Sequence, residues 1–296
     1  MRIGKLLSTT LITGALTIST LSTSHAKSSV WKVSKNNQHL FIGGTVHILS
    51  AKDYPLPCEF GAAYSVSDKV FFETDFSPDQ LAKASIDTLT KGTYPQGDSI
   101  ANYLSGSTVS QLKNYLDSLS LPAEQFMRFK PGVLMSVLSI AELNKIGINF
   151  TGVDQFLFNR AKQDKKPTDY FEKISEQIDF MISLGIGNEE NFIKYILENS
   201  NNLENQFSVM LESWRIGNLE LLADASEVDE FREKFPKILA TLLTNRNQQW
   251  LKQIDSLIKS AEIEYILVGA LHLPRKEGLL AELKRKGYQV DQLSCE

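Results

Sequence analysis

The sequence predicts an α+β fold: a helix-rich single domain with a small central sheet built from N- and C-terminal strands. Three observations predict it. The short β-branched and aromatic runs gather near the two ends of the chain. The roughly 190 residues between them carry apolar side chains at helical spacing. Short strands are not stable alone, so the first and last segments must meet in one sheet.

Trp31-Lys32-Val33 and His39-Leu40-Phe41-Ile42 flank the polar Ser34 to Gln38 segment and read as a β-hairpin. Val70-Phe71-Phe72 is a further short apolar run, entered from the charged pair Asp68-Lys69. Tyr265-Ile266-Leu267-Val268 follows near the far end, and Tyr288-Gln289-Val290 reads as an edge strand. In the middle, Leu112, Tyr115, Leu116 and Leu119 repeat at i, i+3, i+4, i+7, as do Phe207, Met210, Leu211 and Trp214. Ile174, Ile178, Met181 and Ile182 share such a face, and so do Trp250, Leu251, Ile254, Leu257 and Ile258. These stripes are core faces.

The N-terminus reads as a cleavable export signal over residues 1–26, leaving a mature domain over 27–296. Arg2 and Lys5 form a positive start, Leu6 to Thr23 is uncharged and apolar-biased, and Ser24-His25-Ala26 supplies small residues before the cut. That run holds six Thr and three Ser, too polar for a comfortable ~20-residue span. The expected location is therefore periplasmic or secreted, with no stable membrane anchor after cleavage.

Arg2 and Lys5 leave with the signal, so 29 of 31 basic residues face 35 acidic ones, a net charge of −6. With no long basic run, nucleic acid is not an expected partner. Cys58 and Cys295 are the two cysteines. In an oxidising compartment an even pair is most simply a disulfide, the alternatives being two free thiols or metal ligation.

The chemistry concentrates in a repeated pattern. His47 ends Gly44-Thr45-Val46-His47 and His272 ends Gly269-Ala270-Leu271-His272, each behind an apolar run. A glycine at a strand end permits a tight bend or close backbone approach. The histidine then projects just beyond the carboxyl end of the strand, where open sheets place their ligands. Glu73 ends Val70-Phe71-Phe72-Glu73 in the same way, and a carboxylate there is costly if buried without a partner. Two imidazoles and a carboxylate make a metal site with room for water. A single such residue is more often structural, and it is the three together that point to function. The donor set suits Zn, Mn, Co or Fe. Glu73 is read either as the third ligand or as a general base. In the second case Asp75 or Asp154 would supply the missing ligand. No Gly-x-Ser-x-Gly elbow is present, which disfavours serine hydrolysis.

These motifs resemble the TraB/GumN family, related to the Tiki metalloproteases. The resemblance includes the paired Gly-x-x-His motifs, Glu73, Tyr54-Pro55-Leu56-Pro57 and Gly152-Val153-Asp154. It continues through Lys166-Pro167, Phe171-Glu172, Glu176-Gln177, Asn245-Arg246-Asn247 with Trp250, and Lys286-Gly287-Tyr288. It implies an exported metal-dependent hydrolase, with peptidase activity as the narrower expectation and a peptide or other small molecule as substrate. His47, His272 and Glu73 are then the metal or catalytic residues. Arg246 and Asn247 are catalytic candidates for oxyanion or substrate contacts, and Asp154, Gly44 and Gly269 candidates for substrate binding. Arg246 reads equally as a salt-bridge partner, and Asp154 and Glu172 as capping or packing residues. Two other classes compete: a protein that sequesters a peptide without cutting it, and a haem- or metal-binding protein.

Overall fold

The computed structural model describes residues 27–148, 150–200 and 203–295. The expected export signal lies outside the described residues. Eight strands form in chain order: β1 (Lys27–Lys35), β2 (Gln38–Thr45), β3 (Ile48–Leu49), β4 (Lys69–Phe72), β5 (Phe150–Thr151), β6 (Thr168–Tyr170), β7 (Glu264–Gly269) and β8 (Gln289–Ser294). Six build the central sheet in the order β6-β4-β7-β2-β1-β8, while β3 and β5 pair as a separate ribbon. β6, β4, β7 and β2 run parallel, and β1 pairs antiparallel with both β2 and β8.

The β1–β2 hairpin is tighter than its polar segment suggests. Ser34 and Lys35 still pair with His39 and Gln38, so Asn36 and Asn37 alone make the turn. Both have positive φ, which asparagine tolerates better than most residues. His39, at the start of β2, is half-buried, its ring edge-on to Phe41. β6 comes from the middle of the chain and extends the sheet beyond the terminal strands. The Val70 N–H donates to Pro167 O at 3.0 Å, and Lys69 pairs with Asp169 at 2.9 Å, fixing this strand beside β4.

Alternation along the strands sends side chains to two covered faces. On one, Phe41, Val70, Phe72, Tyr265 and Leu267 meet the helices Cys58–Val66, Val153–Gln163 and Leu203–Arg215. On the other, Leu40, Ile42, Phe71, Ile266 and Val268 meet Asn245–Leu257 and Leu279–Arg285. Each large apolar side chain fully withdrawn from water contributes about 1.5–3 kcal/mol. The result is a helix-rich α+β domain. A further core, made by Leu112, Leu116, Leu134, Leu138 and Ile193, lies among the middle helices away from the sheet.

Three of the four helical stripes read from the sequence face these cores, with Trp214 and Trp250 fully buried, while in the fourth Ile174 and Ile182 are buried and Ile178 and Met181 half-buried. Cys58 and Cys295 form a disulfide with Cα atoms 6.2 Å apart, tying β8 to the helix after the first ribbon strand. Among the described residues no helix is long and apolar enough to cross a membrane.

Candidate functional site

β4, β7 and β2 are consecutive parallel neighbours, with Phe72 level with Leu267 and Thr45 level with Gly269. Their carboxyl ends therefore share one edge of the sheet. Glu73 follows β4, His47 lies two residues beyond β2, and His272 closes the 3-10 turn Ala270–His272 behind β7. A Cβ added at Gly269 would lie 3.2 Å from Glu73 Oε1, 3.6 Å from His272 Cδ2 and 3.9 Å from His47 Nε2. The three side chains thus meet over this glycine.

His272 is buried against Trp250, ring centroids 4.5 Å apart. Asn247 spends its Nδ2 on the carbonyls of His272 and Glu277, at 3.1 and 3.2 Å. Its Oδ1 is therefore an acceptor, and it meets His272 Nδ1 at 2.6 Å. That puts the proton on Nδ1 and leaves a lone pair on Nε2. Once neutral, His47 takes the same tautomer for a different reason: its Nδ1 donates to Asp154 Oδ2 at 2.8 Å. Gly152 makes this possible. A Cβ there would lie 2.2 Å from the carbonyl carbon and oxygen of His47, so only glycine lets the 153–163 helix start so close. Val153 N–H then donates to Val46 O at 3.0 Å, and Asp154 arrives behind the ring.

Glu73 is held from three sides. Oε1 accepts the Gly269 N–H at 2.6 Å, and Oε2 accepts Arg246 Nη2 at 2.6 Å and Gln177 Nε2 at 3.1 Å. Arg246 also donates from Nε to Glu172 at 2.8 Å, from Nη1 to Leu242 O at 3.0 Å, and from Nη1 to His272 Nε2 at 3.1 Å. Its guanidinium lies 4.7 Å over the Trp250 ring.

The two imidazoles respond oppositely. The Asp154 carboxylate raises the His47 pKa to about 9. Burial opposes the charge on the ring and is outweighed by the carboxylate, and 65 % of the side chain stays accessible. Burial, with Arg246 adding to it, lowers His272 to about 3. Burial alone would raise Glu73, but neighbouring positive charge and the Gly269 N–H hold it down to about 2. Because His272 is neutral, the cation chiefly responsible is Arg246. Burial pushes Glu172 upward against the pull of the same guanidinium.

Several expected contacts have a more specific place here. Asp154 is 3 % exposed and stands behind His47 rather than on the pocket. Asn247 is equally buried and orients His272 from the side away from Glu73. Gly44 packs under Leu273, where a Cβ would approach to 2.9 Å, and its carbonyl accepts Trp214 Nε1 at 2.7 Å. Asp75 turns its Oδ1 to the Ser77 N–H. Arg246 combines both of its readings, a salt bridge and a pocket-lining cation. Spacing did not single out Gln177 as a partner of Glu73, nor Thr45. The Thr45 hydroxyl is buried without a partner in a residue that lines the pocket. Its position inside the first Gly-x-x-His motif is the one signal that could have marked it.

Two imidazoles and a carboxylate are donor types that a divalent cation takes, but His47, Glu73 and His272 do not all bring their ligand atoms within 4.8 Å of one another. Both Nε2 lone pairs and Glu73 lie around Gly269, and both Nδ1 atoms are held by oxygen acceptors, the outer arrangement of metal-ligating histidines. Arg246 faces two buried carboxylates, Glu73 and Glu172, while the third, Asp154, pairs with His47. Loading requires the donors to draw closer and Arg246 to release His272 Nε2. Among the described residues the donor trio within 4.8 Å of one another is Cys58, Glu59 and Cys295, whose sulfurs are already joined.

The pocket in front of these groups has a volume of about 360 Å³. Its opposite wall is apolar, from Leu143, Phe207, Met210, Leu222, Leu242 and Leu243. Comparison with curated proteins and with solved structures finds no match for this chain. A family model does match, over residues 29–292, nearly the whole domain and all of the residues that build this pocket. With two Gly-x-x-His motifs on adjacent parallel strands and a carboxylate at the end of the next strand, the chain belongs to the TraB/PrgY/gumN family.

Proposed function

We propose that this protein is an exported metal-dependent hydrolase acting on peptide bonds. The observation that carries the reading is the meeting of two imidazoles, each with its Nδ1 held by an oxygen acceptor, and Glu73 over Gly269 at the wall of a pocket. His47, His272 and Glu73 would hold the cation. When bound, it supplies Lewis acidity, polarising a carbonyl and lowering the pKa of a water towards ~7.

The chain's own groups divide the remaining work. Glu73, held near a pKa of about 2, is a weak proton acceptor, which favours the role of ligand over general base. Asp154 fixes the His47 ring and its tautomer, and Asn247 does the same for His272. Arg246 presents fixed positive charge to a carbonyl oxygen that becomes negative, already oriented by Glu172 and Leu242 O. The apolar wall excludes water from the opposite side. Export is supported by the N-terminal charge, apolar and small-residue order and by the Cys58–Cys295 disulfide.

One observation favours the rival reading of a peptide-sequestering protein: Arg246 already engages Glu73 and His272 Nε2, the donors a metal needs. The deciding experiment measures metal content and peptide cleavage in the purified mature protein, before and after chelation. The hydrolase reading expects about one divalent ion per chain, lost together with cleavage on chelation and in His47→Ala. Intact peptide in the metal-loaded protein, with affinity unchanged by chelation, would establish sequestration instead.

A further inference from the structure

We infer that the pocket selects peptides with one bulky uncharged side chain beside the attacked bond, and that Met210, Leu242 and Leu243 set that choice. The inference rests on the peptidase reading and deepens it. The pocket has two unlike walls. The polar cluster over Gly269 forms one, where Glu73 and Arg246 are paired with each other and His47 with Asp154. The other wall contains no charged side chain among the described residues.

Within that wall the residues divide by exposure. Phe207 and Leu222 are buried and belong to the core beneath. Met210, Leu242 and Leu243 are half-buried and line the cavity, Met210 and Leu242 resting on cores on their other side. Leu242 and Leu243 lie in the π-turn Ala240–Thr244, immediately before the helix that carries Arg246. The same turn offers Leu242 O to Arg246 Nη1. One local distortion therefore shapes the apolar wall and aims the cation, and wide turns of this kind concentrate at functional sites.

Charge and size narrow the occupant. An acidic or basic side chain would lose its hydration against an apolar wall without a counter-ion. A cavity of about 360 Å³ lies at the small end of ligand pockets. It suits one large side chain with its flanking backbone. Met210 can re-pack around different shapes, so the preference extends over Leu, Met and Phe rather than to one residue.

The test uses blocked peptides identical except at one central residue: Leu, Phe, Ser, Asp or Lys. Binding is measured by calorimetry on the mature His47→Ala protein, and cleavage on the wild type. The Leu and Phe peptides should bind and be cleaved at least about tenfold better than the others, since even one methylene in an apolar pocket is worth that much. Met210→Trp should fill the cavity and turn the preference towards Ser, an inversion that misfolding would not produce. Equal affinity across the panel, or a Leu preference retained in Met210→Trp, overturns the inference. Apolar-selective binding without cleavage upholds it while removing the hydrolase reading. Cleavage without selectivity removes the inference and leaves hydrolysis standing.

Discussion

The two Gly-x-x-His motifs sit on neighbouring parallel strands, yet their histidines live in opposite surroundings. His47 stands at the mouth of the pocket against a carboxylate, while His272 is sealed beneath Trp250 and held by an uncharged amide. The first is pulled up to about 9 and the second pushed down to about 3. The same four-residue pattern therefore gives one ring that readily takes a proton and one that stays neutral. What differs is the element packed behind each ring: the start of the 153–163 helix in one case and the side of the 245–257 helix in the other.

Removing the shared cation should disturb this contrast most. In Arg246→Ala, Glu73 and Glu172 lose their common partner while buried, and a broken buried pair costs about 3–5 kcal/mol. Urea unfolding should register that loss, and the His272 pKa should rise, because Glu73 would remain beside it without the guanidinium.

Alanine at each histidine should separate the two environments more gently. His272→Ala empties a packed site and frees the Asn247 amide oxygen, for about 3 kcal/mol. His47→Ala removes a largely accessible ring and should cost about 1 kcal/mol, mainly from leaving Asp154 unpaired. Both should reduce peptide cleavage at least about a hundredfold. Equal stability losses in paired denaturation curves would erase the distinction between them.

The smallest effect is the most diagnostic. Asp154→Asn should bring the His47 midpoint from about 9 back towards the ordinary 6.5, read from the imidazole C–H resonances of metal-free protein. The folded-state value lies above the free one. The charged pair therefore adds its stability below 6.5 and loses it as pH rises through about 9. Metal loading needs the neutral ring, so it should run the other way and strengthen as pH climbs towards 9.

The histidines and Glu73 were legible because each ends a short apolar strand, a local pattern that survives without knowing the fold. The helical stripes were legible for the same reason. Asn247 and Glu172 were visible only through family resemblance and Asp154 also as a possible metal ligand, but their roles as partners of His272, Arg246 and His47 were not, because each pairing depends on tertiary packing. β6 escaped notice because three residues, Thr168 to Tyr170, carry too little alternation to mark a strand. The apolar wall was hidden too: Met210 belongs to a stripe that reads wholly as core, and nothing in Ala240 to Thr244 announces a π-turn.

The strand order also fixes when the pocket can come into being. β7 lies between β4 and β2, but Gly269 follows Glu73 by 196 residues. At about 5–20 residues per second, roughly ten to forty seconds of synthesis separate the emergence of Glu73 from that of its neighbour. Throughout that interval β2 and β4 each lack the partner on the side that β7 will fill. A nascent chain in that condition has no finished sheet to unravel before threading through a membrane, as the expected export requires. The cluster over Gly269 is thus assembled late, by a strand inserted into the middle of the sheet, and no early fragment of the chain can contain it.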